Sequence, residues 1–204
     1  MLVTQNRIPR WVKIAYTAFM AVLVPVYWAN YGPTNFLYFC DIALFFTLAA
    51  LWTESRILTS IPTVGILLPQ LLWCLDFACG LFGYSPLGMT AYMFESERDL
   101  FLRSLSLFHG WLPFLLLYMT AKLGYDKAAF RYWWSIAWIA MFIAFFCMPK
   151  AKDPNDINLP YNINYVYGLT DPQTWMPEWT WFCMALLAIP IGFSYPTHLV
   201  LRRK

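Results

Sequence analysis

The chain has 204 residues, of which 60% are hydrophobic and only 12% charged, and its net charge is +3. Soluble domains carry roughly 25% charged residues. This much apolar surface excludes a soluble domain, and the small net charge gives no footprint for nucleic acid. The solvent and expected partner is membrane lipid, and the unusual supply of 11 Trp, 13 Tyr and 17 Phe suits interfacial belts.

Residues 1–10 are polar and basic. They lead into an apolar span at about 11–29 with no small-residue cleavage site, which reads as a retained first helix. Asn30-Tyr31-Gly32-Pro33 punctuates a helical hairpin. The second span, 34–52, carries Asn35, Cys40 and Asp41, and a charged turn at 53–56 follows. The third, 57–83, is interrupted by Pro62 and Pro69 and holds Gln70, Cys74 and Asp76. Proline inside such a helix frees carbonyls that neighbouring helices must satisfy.

A polar loop at 84–99 ends in the run Glu95-Ser96-Glu97-Arg98-Asp99, which suits the positive end of the next helix. The fourth span, 100–121, contains Arg103 and His109, and a basic connector at 122–129 leads to the fifth, 130–148. The connection 149–174 is the longest. Connections of this length in a compact protein are functional or disordered, and its aromatic run YNINYVY favours an ordered loop or lid. The last span, 175–199, is interrupted by Pro190 and Pro196. The expected fold is all-α: one polytopic transmembrane helix bundle over 1–204, with about six spans.

With six spans both termini share a side. That side takes Arg7, Arg10, Lys13, Arg56, Lys122, Lys127, Arg131, Arg202, Arg203 and Lys204, against Arg98, Lys150 and Lys152 opposite. This bias places both termini in the cytoplasm and the loops 84–99 and 149–174 outside. The expected location is a bacterial inner membrane or a eukaryotic internal membrane.

In this frame Asp41, Asp76, Arg103 and His109 fall in the outer half of the bilayer, Asp41 and Asp76 each roughly 10 Å deep at 1.5 Å per residue. Ionisable groups at that depth require partners or water. Taken singly, each has a bland reading: a hydrogen-bonded aspartate, a snorkelling arginine, a packed histidine. Together they suggest one polar cavity opening outward, with His109 bonded to Asp41 or Asp76.

Three chemistries fit. A His can generate a Cys40 thiolate for attack on an acyl carbon. Adjacent helical residues point about 100° apart, so with Cys40 as nucleophile Asp76 must orient the imidazole, whereas an Asp41–His109 pair leaves Cys40 as packing. Asp41, Asp76 and His109 also form a donor set for a divalent ion, but no HxxxH or ExxH pair supports it, and neither metal nor cofactor is expected. The third option is no reaction: helix packing, or binding of a lipid headgroup or a quinone-like ring. The five cysteines, Cys40, Cys74, Cys79, Cys147 and Cys183, form no CxxC pair and otherwise read as small packing residues.

Phe36 to Trp52, FLYFCDIALFFTLAALW, resembles the Cys-bearing helix of a six-span integral membrane family. That family includes bacterial proteins of unknown role and the mammalian transmembrane acyltransferase that remodels ether phospholipids. The resemblance continues in SLFHGWLPFLLLY and NINYVYGLTDPQTW. It implies Cys40 and His109 as a catalytic pair in an acyl hydrolase or acyltransferase. Asp41 and Asp76 are further catalytic candidates, and Arg103, Asn162, Asn164 and Tyr165 are candidates for binding substrate. The competing class is a non-catalytic small subunit of a larger membrane protein complex.

Overall fold

The computed structural model describes residues 8–156, 158–169 and 171–203. Arg7 and Lys204, counted above in the charge bias, lie outside them. The described chain is all-helical, with no strand. Its helices are α1 (Arg10–Tyr31), α2 (Phe39–Thr53), α3 (Arg56–Gly80), α4 (Leu100–Leu105), α5 (Phe108–Leu123), α6 (Ala129–Cys147), α7 (Glu178–Ile189) and α8 (Tyr195–Leu201). Five stretches are long and apolar enough to cross a membrane: α1, α3, α4 with α5, α6, and α7 through α8. The protein is a polytopic integral membrane helix bundle.

Two boundaries differ from the sequence reading. α2 begins at Phe39, because Pro33–Leu37 forms a tight 3₁₀ turn and Tyr38 is extended. Gly32, at φ 77°, closes α1 and turns the chain into that segment. Asp41 therefore stands in the first turn of α2 rather than seven residues inside a span. With 15 residues, α2 is shorter than the roughly 20 needed to cross the hydrocarbon core. The fourth span is two helices, broken at Ser106–Leu107, where the amides of Leu107, His109 and Gly110 each reach back only three residues.

α3 is central and packs against α2, α5, α6 and α8. Trp133 of α6 lies directly on Gly65, where an added Cβ would come within 2.0 Å of the indole. One core joins α1, α2, α3, α5 and α6. A second joins α6 and α7 to Ile163, Val166 and Tyr167 of the long connection.

Proline explains two contacts between helices. Pro113 has no N–H to give the carbonyl of His109, and the Cys74 thiol donates to that oxygen at 3.5 Å. Pro190 likewise frees the carbonyl of Leu186, which accepts from the Trp138 indole at 2.8 Å. The helix widens into a π-turn over Pro190–Ser194 before α8.

The end where α1 begins is tied by polar contacts. Lys13 meets Glu54 at 2.7 Å, and Arg56 donates to the carbonyl of Tyr125. The Tyr125 hydroxyl meets His198 Nδ1 at 2.8 Å. The opposite end gathers the starts of α2 and α5, the close of α3, and both long connections.

Candidate functional site

Asp76 is completely buried and serves the loop that follows α3. Its carboxylate accepts from the Ser85 hydroxyl (2.8 Å), the Leu87 amide (2.8 Å), the Thr90 amide (2.9 Å) and the Thr90 hydroxyl (2.8 Å). Such an oxygen set replaces the water lost on burial. Phe94 then lays its ring against Gly80, where a Cβ would come within 2.4 Å.

Asp41 is equally deep but less provided for. Oδ2 accepts from Asn35 Nδ2 at 3.3 Å and from the Cys40 thiol at 3.7 Å. Oδ1 is buried with no hydrogen-bond partner among the described residues. The first turn of α2 offsets part of this cost, since a helix N-terminus favours an anion.

His109 bonds neither carboxylate, contrary to the sequence expectation. Its ring stacks between Trp73 (4.8 Å) and Phe108 (4.0 Å), and Nδ1 meets the carbonyl of Ser106 at 2.7 Å. The physical reason is local. The break before α5 turns the Ser106 carbonyl toward the imidazole, while Asp76 is consumed by its own loop. A carbonyl only accepts, so Nδ1 carries a proton, and in the neutral ring this tautomer leaves the lone pair on Nε2.

Arg103 donates from one terminal nitrogen to the Met93 carbonyl at 3.0 Å, and its Nε is buried without a partner among the described residues. The fixed cation thus braces the 84–99 loop rather than pairing with an aspartate.

Ser106, Tyr27 and Tyr92 complete the cluster, and the sequence reading passed over all three. The Tyr27 hydroxyl meets Ser106 Oγ at 2.9 Å. Tyr92 comes in from the loop between α3 and α4, toward Ser106 and Trp73, with Cys40 also within its field. Burial pushes its phenol up, so it is a neutral group here. Only Ser106 carried a signal, as a hydroxyl three residues before the membrane histidine. Nothing local tied Tyr92 to α2.

The connection between α6 and α7 reaches this end through Asn164. Its side-chain oxygen accepts from the amide of Phe39 at 3.0 Å, and its side-chain nitrogen donates to the carbonyl of Leu37 at 2.9 Å. Asn164 thus substitutes for a missing backbone partner at the start of the helix that bears Cys40 and Asp41. Asn162 pins the loop internally, accepting from the Tyr167 amide (2.8 Å) and donating to the Gly168 carbonyl (2.9 Å). Asn162, Asn164 and Tyr165 all have positive φ, at 43°, 57° and 63°. Asparagine tolerates this region and tyrosine does not, so Tyr165 is held by its surroundings. Its carbonyl accepts from the Trp181 indole at 2.9 Å, and its phenol lies within the fields of Cys40 and Asp76.

The bundle end therefore collects Cys40, Asp41, Tyr27, Tyr92, Ser106 and, through Trp73, His109. It does not join Cys40 to His109 by a hydrogen bond, and Asp76 and Arg103 belong to the wall formed by the 84–99 loop. Among the described residues no three His, Cys, Asp or Glu side chains are grouped as metal ligands. The chain matches no protein-family model, and neither curated proteins nor solved structures give a match.

Proposed function

We propose that the loop-covered end of the bundle carries out acyl transfer or acyl hydrolysis on membrane lipid, with Cys40 as nucleophile and His109 as base. The observation that carries this reading is the Ser106 carbonyl on His109 Nδ1, which leaves Nε2 as a proton acceptor at membrane depth. Nε2 takes the Cys40 proton as sulfur bonds the ester carbon. The ester C–O bond then breaks, and the leaving alkoxide takes that proton from the imidazolium. Water or a lipid hydroxyl next gives its proton to Nε2 and attacks the thioester, and the released thiolate recovers the proton.

Tyr92 stands beside Ser106 and Trp73, the residues that flank His109, and the reading requires substrate to displace it. Arg103, with Nε unpartnered, is the cation suited to a lipid phosphate, and Asn162, Asn164 and Tyr165 form the lid. Asp41 holds the resting thiol, and Asp76 contributes by fixing the wall.

The test is incubation of reconstituted protein with a phospholipid bearing an alkyne-tagged acyl chain. The expected result is a hydroxylamine-sensitive acyl adduct on Cys40 that is absent from Cys40→Ala and from His109→Ala. No adduct, together with Cys40 alkylation rates indifferent to His109, would overturn the assignment.

The alternative is a non-catalytic subunit of a larger membrane complex. It is favoured by one observation, the resting donation of the Cys40 thiol to Asp41 rather than to His109. It predicts co-purification of a stoichiometric partner from mild detergent, with the native complex unaffected by Cys40→Ala.

The charge bias supports both termini in the cytoplasm, in a bacterial inner membrane or a eukaryotic internal membrane. A cysteine at Asn155 should be labelled from outside and one at Asp126 spared; the reverse pattern inverts the orientation.

A further inference from the structure

At the other end of the bundle, α1 and α5 leave a groove of about 710 Å³. Pro9, Trp11, Tyr16, Phe19, Trp111 and Tyr118 are among its walls. Trp111 crosses edge-on to Tyr16 (5.8 Å) and Phe19 (5.1 Å), so aromatic rings rather than close backbones join the two helices here. The volume falls inside the roughly 300–1,000 Å³ of small-molecule pockets. The helices run antiparallel along it: Phe19 packs on Phe108, whereas the Pro9 end lies beside Tyr118.

That end is cationic. Arg10, between the lining residues Pro9 and Trp11, is exposed. Lys122, one turn beyond Tyr118, is also exposed and holds its amine 5.9 Å from the Tyr118 ring. Glu54, at the same end, is engaged by Lys13 at 2.7 Å. Trp11, 71% exposed, stands at the rim, as expected of a ring at the level of lipid headgroups.

An apolar slot that runs along a membrane helix and opens at two basic side chains matches one chemistry: an acyl chain joined to an anionic headgroup. We infer that the α1–α5 groove is a binding site for an anionic glycerophospholipid of the leaflet that faces the start of α1, with its acyl chain laid against Phe19, Trp111 and Leu115 and its phosphate at Arg10 and Lys122. The site is separate from Cys40 and His109 and does not rest on the acyl-transfer reading.

The experiment uses the full chain in nanodiscs of phosphatidylcholine doped with phosphatidylglycerol carrying a diazirine on its acyl chain. Crosslinks are mapped by mass spectrometry, and native mass spectra of the delipidated protein are titrated with each lipid separately. The expected crosslinks fall in residues 9–19 and 111–118, with phosphatidylglycerol retained in preference to phosphatidylcholine. Near the membrane surface each basic residue contributes roughly a fivefold preference for an anionic lipid. Arg10→Gln and Lys122→Gln should each reduce it about fivefold, without changing phosphatidylcholine binding. Both side chains are exposed, so folding is checked simply by helix content and elution volume. Ala15→Phe, which fills the slot from α1, should remove the crosslinks of both lipids. Cys40→Ala should leave all of these readouts unchanged.

Equal retention of the two lipids would mean ordinary annular lipid and overturn the inference. So would an absence of crosslinks from residues 9–19 and 111–118, or a second protein chain protecting the groove.

Discussion

The two buried aspartates teach opposite lessons. Asp76, on the central helix, has four donors, three on Oδ2 and one on Oδ1. Asp41, at the start of α2, has a weak donor pair on one oxygen and nothing among the described residues on the other. Both looked alike as isolated acids in apolar spans. The difference is what surrounds them: a loop that folds back to cap Asp76, and a clamp at Asn164 that ends two residues before Asp41. A satisfied carboxylate contributes to folding, whereas an under-satisfied one costs stability and is the better candidate for a role in chemistry.

Replacing each group sharpens this contrast. Asp76→Ala strands two backbone amides and two hydroxyls, and should lose about 4 kcal/mol or more of stability. Thermal unfolding in detergent would show it, with new protease cleavage confined to 84–99. An unshifted transition would mean that the loop is held without Asp76.

Gly80→Ala drives a methyl into the Phe94 ring of the same wall. Overpacking in a core costs about 1–3 kcal/mol, and the partly exposed Phe94 ring can give way, which puts this substitution at the lower end of that range. The expected cleavage pattern is that of Asp76→Ala with a smaller thermal shift; a cut elsewhere would separate Phe94 from the Asp76 loop.

On the other side, Asn164→Ala removes both bonds to the start of α2 and should cost about 1–2 kcal/mol. Amide exchange should quicken at Phe39 and across 161–167. Asn164→Gly, which accepts the positive φ, should be milder than alanine by about 1 kcal/mol. Equal losses would show that the side-chain bonds alone matter.

Asp41→Asn should have the smallest thermal effect, within about 1 kcal/mol of the parent, because one oxygen already lacks a partner. Under the acyl-transfer reading it should still change the rate of Cys40 alkylation. A collapse as large as that of Asp76→Ala would erase the distinction.

The helices were legible because an apolar run of membrane length leaves few other structures open. Proline positions told where carbonyls would be freed, but not that Cys74 and Trp138 would answer them. The start of α2 was misplaced by five residues, since Thr34-Asn35-Phe36-Leu37 is as apolar as a helix end and only Pro33 marks the 3₁₀ turn. That shift moved Asp41 from mid-helix to first turn. The pairing of His109 with an aspartate was inferred from depth alone. Depth cannot see a helix break, and the break at Ser106 supplied a nearer acceptor. Tyr92 was invisible because its role depends on a loop whose path Asp76 dictates.

The Asn164 clamp also has a consequence in time. Its two bonds span 125 and 127 positions of the chain. Ribosomes add roughly 5–20 residues per second, so α2 is made on the order of 6–25 s before Asn164 exists. For that interval the Phe39 amide and the Leu37 carbonyl have no side-chain partner at the membrane boundary. The first helices must therefore be kept wet, or shielded by the insertion machinery, until the connection after α6 arrives. Truncations ending before residue 164 should be retained by that machinery and degraded, however complete their helices are.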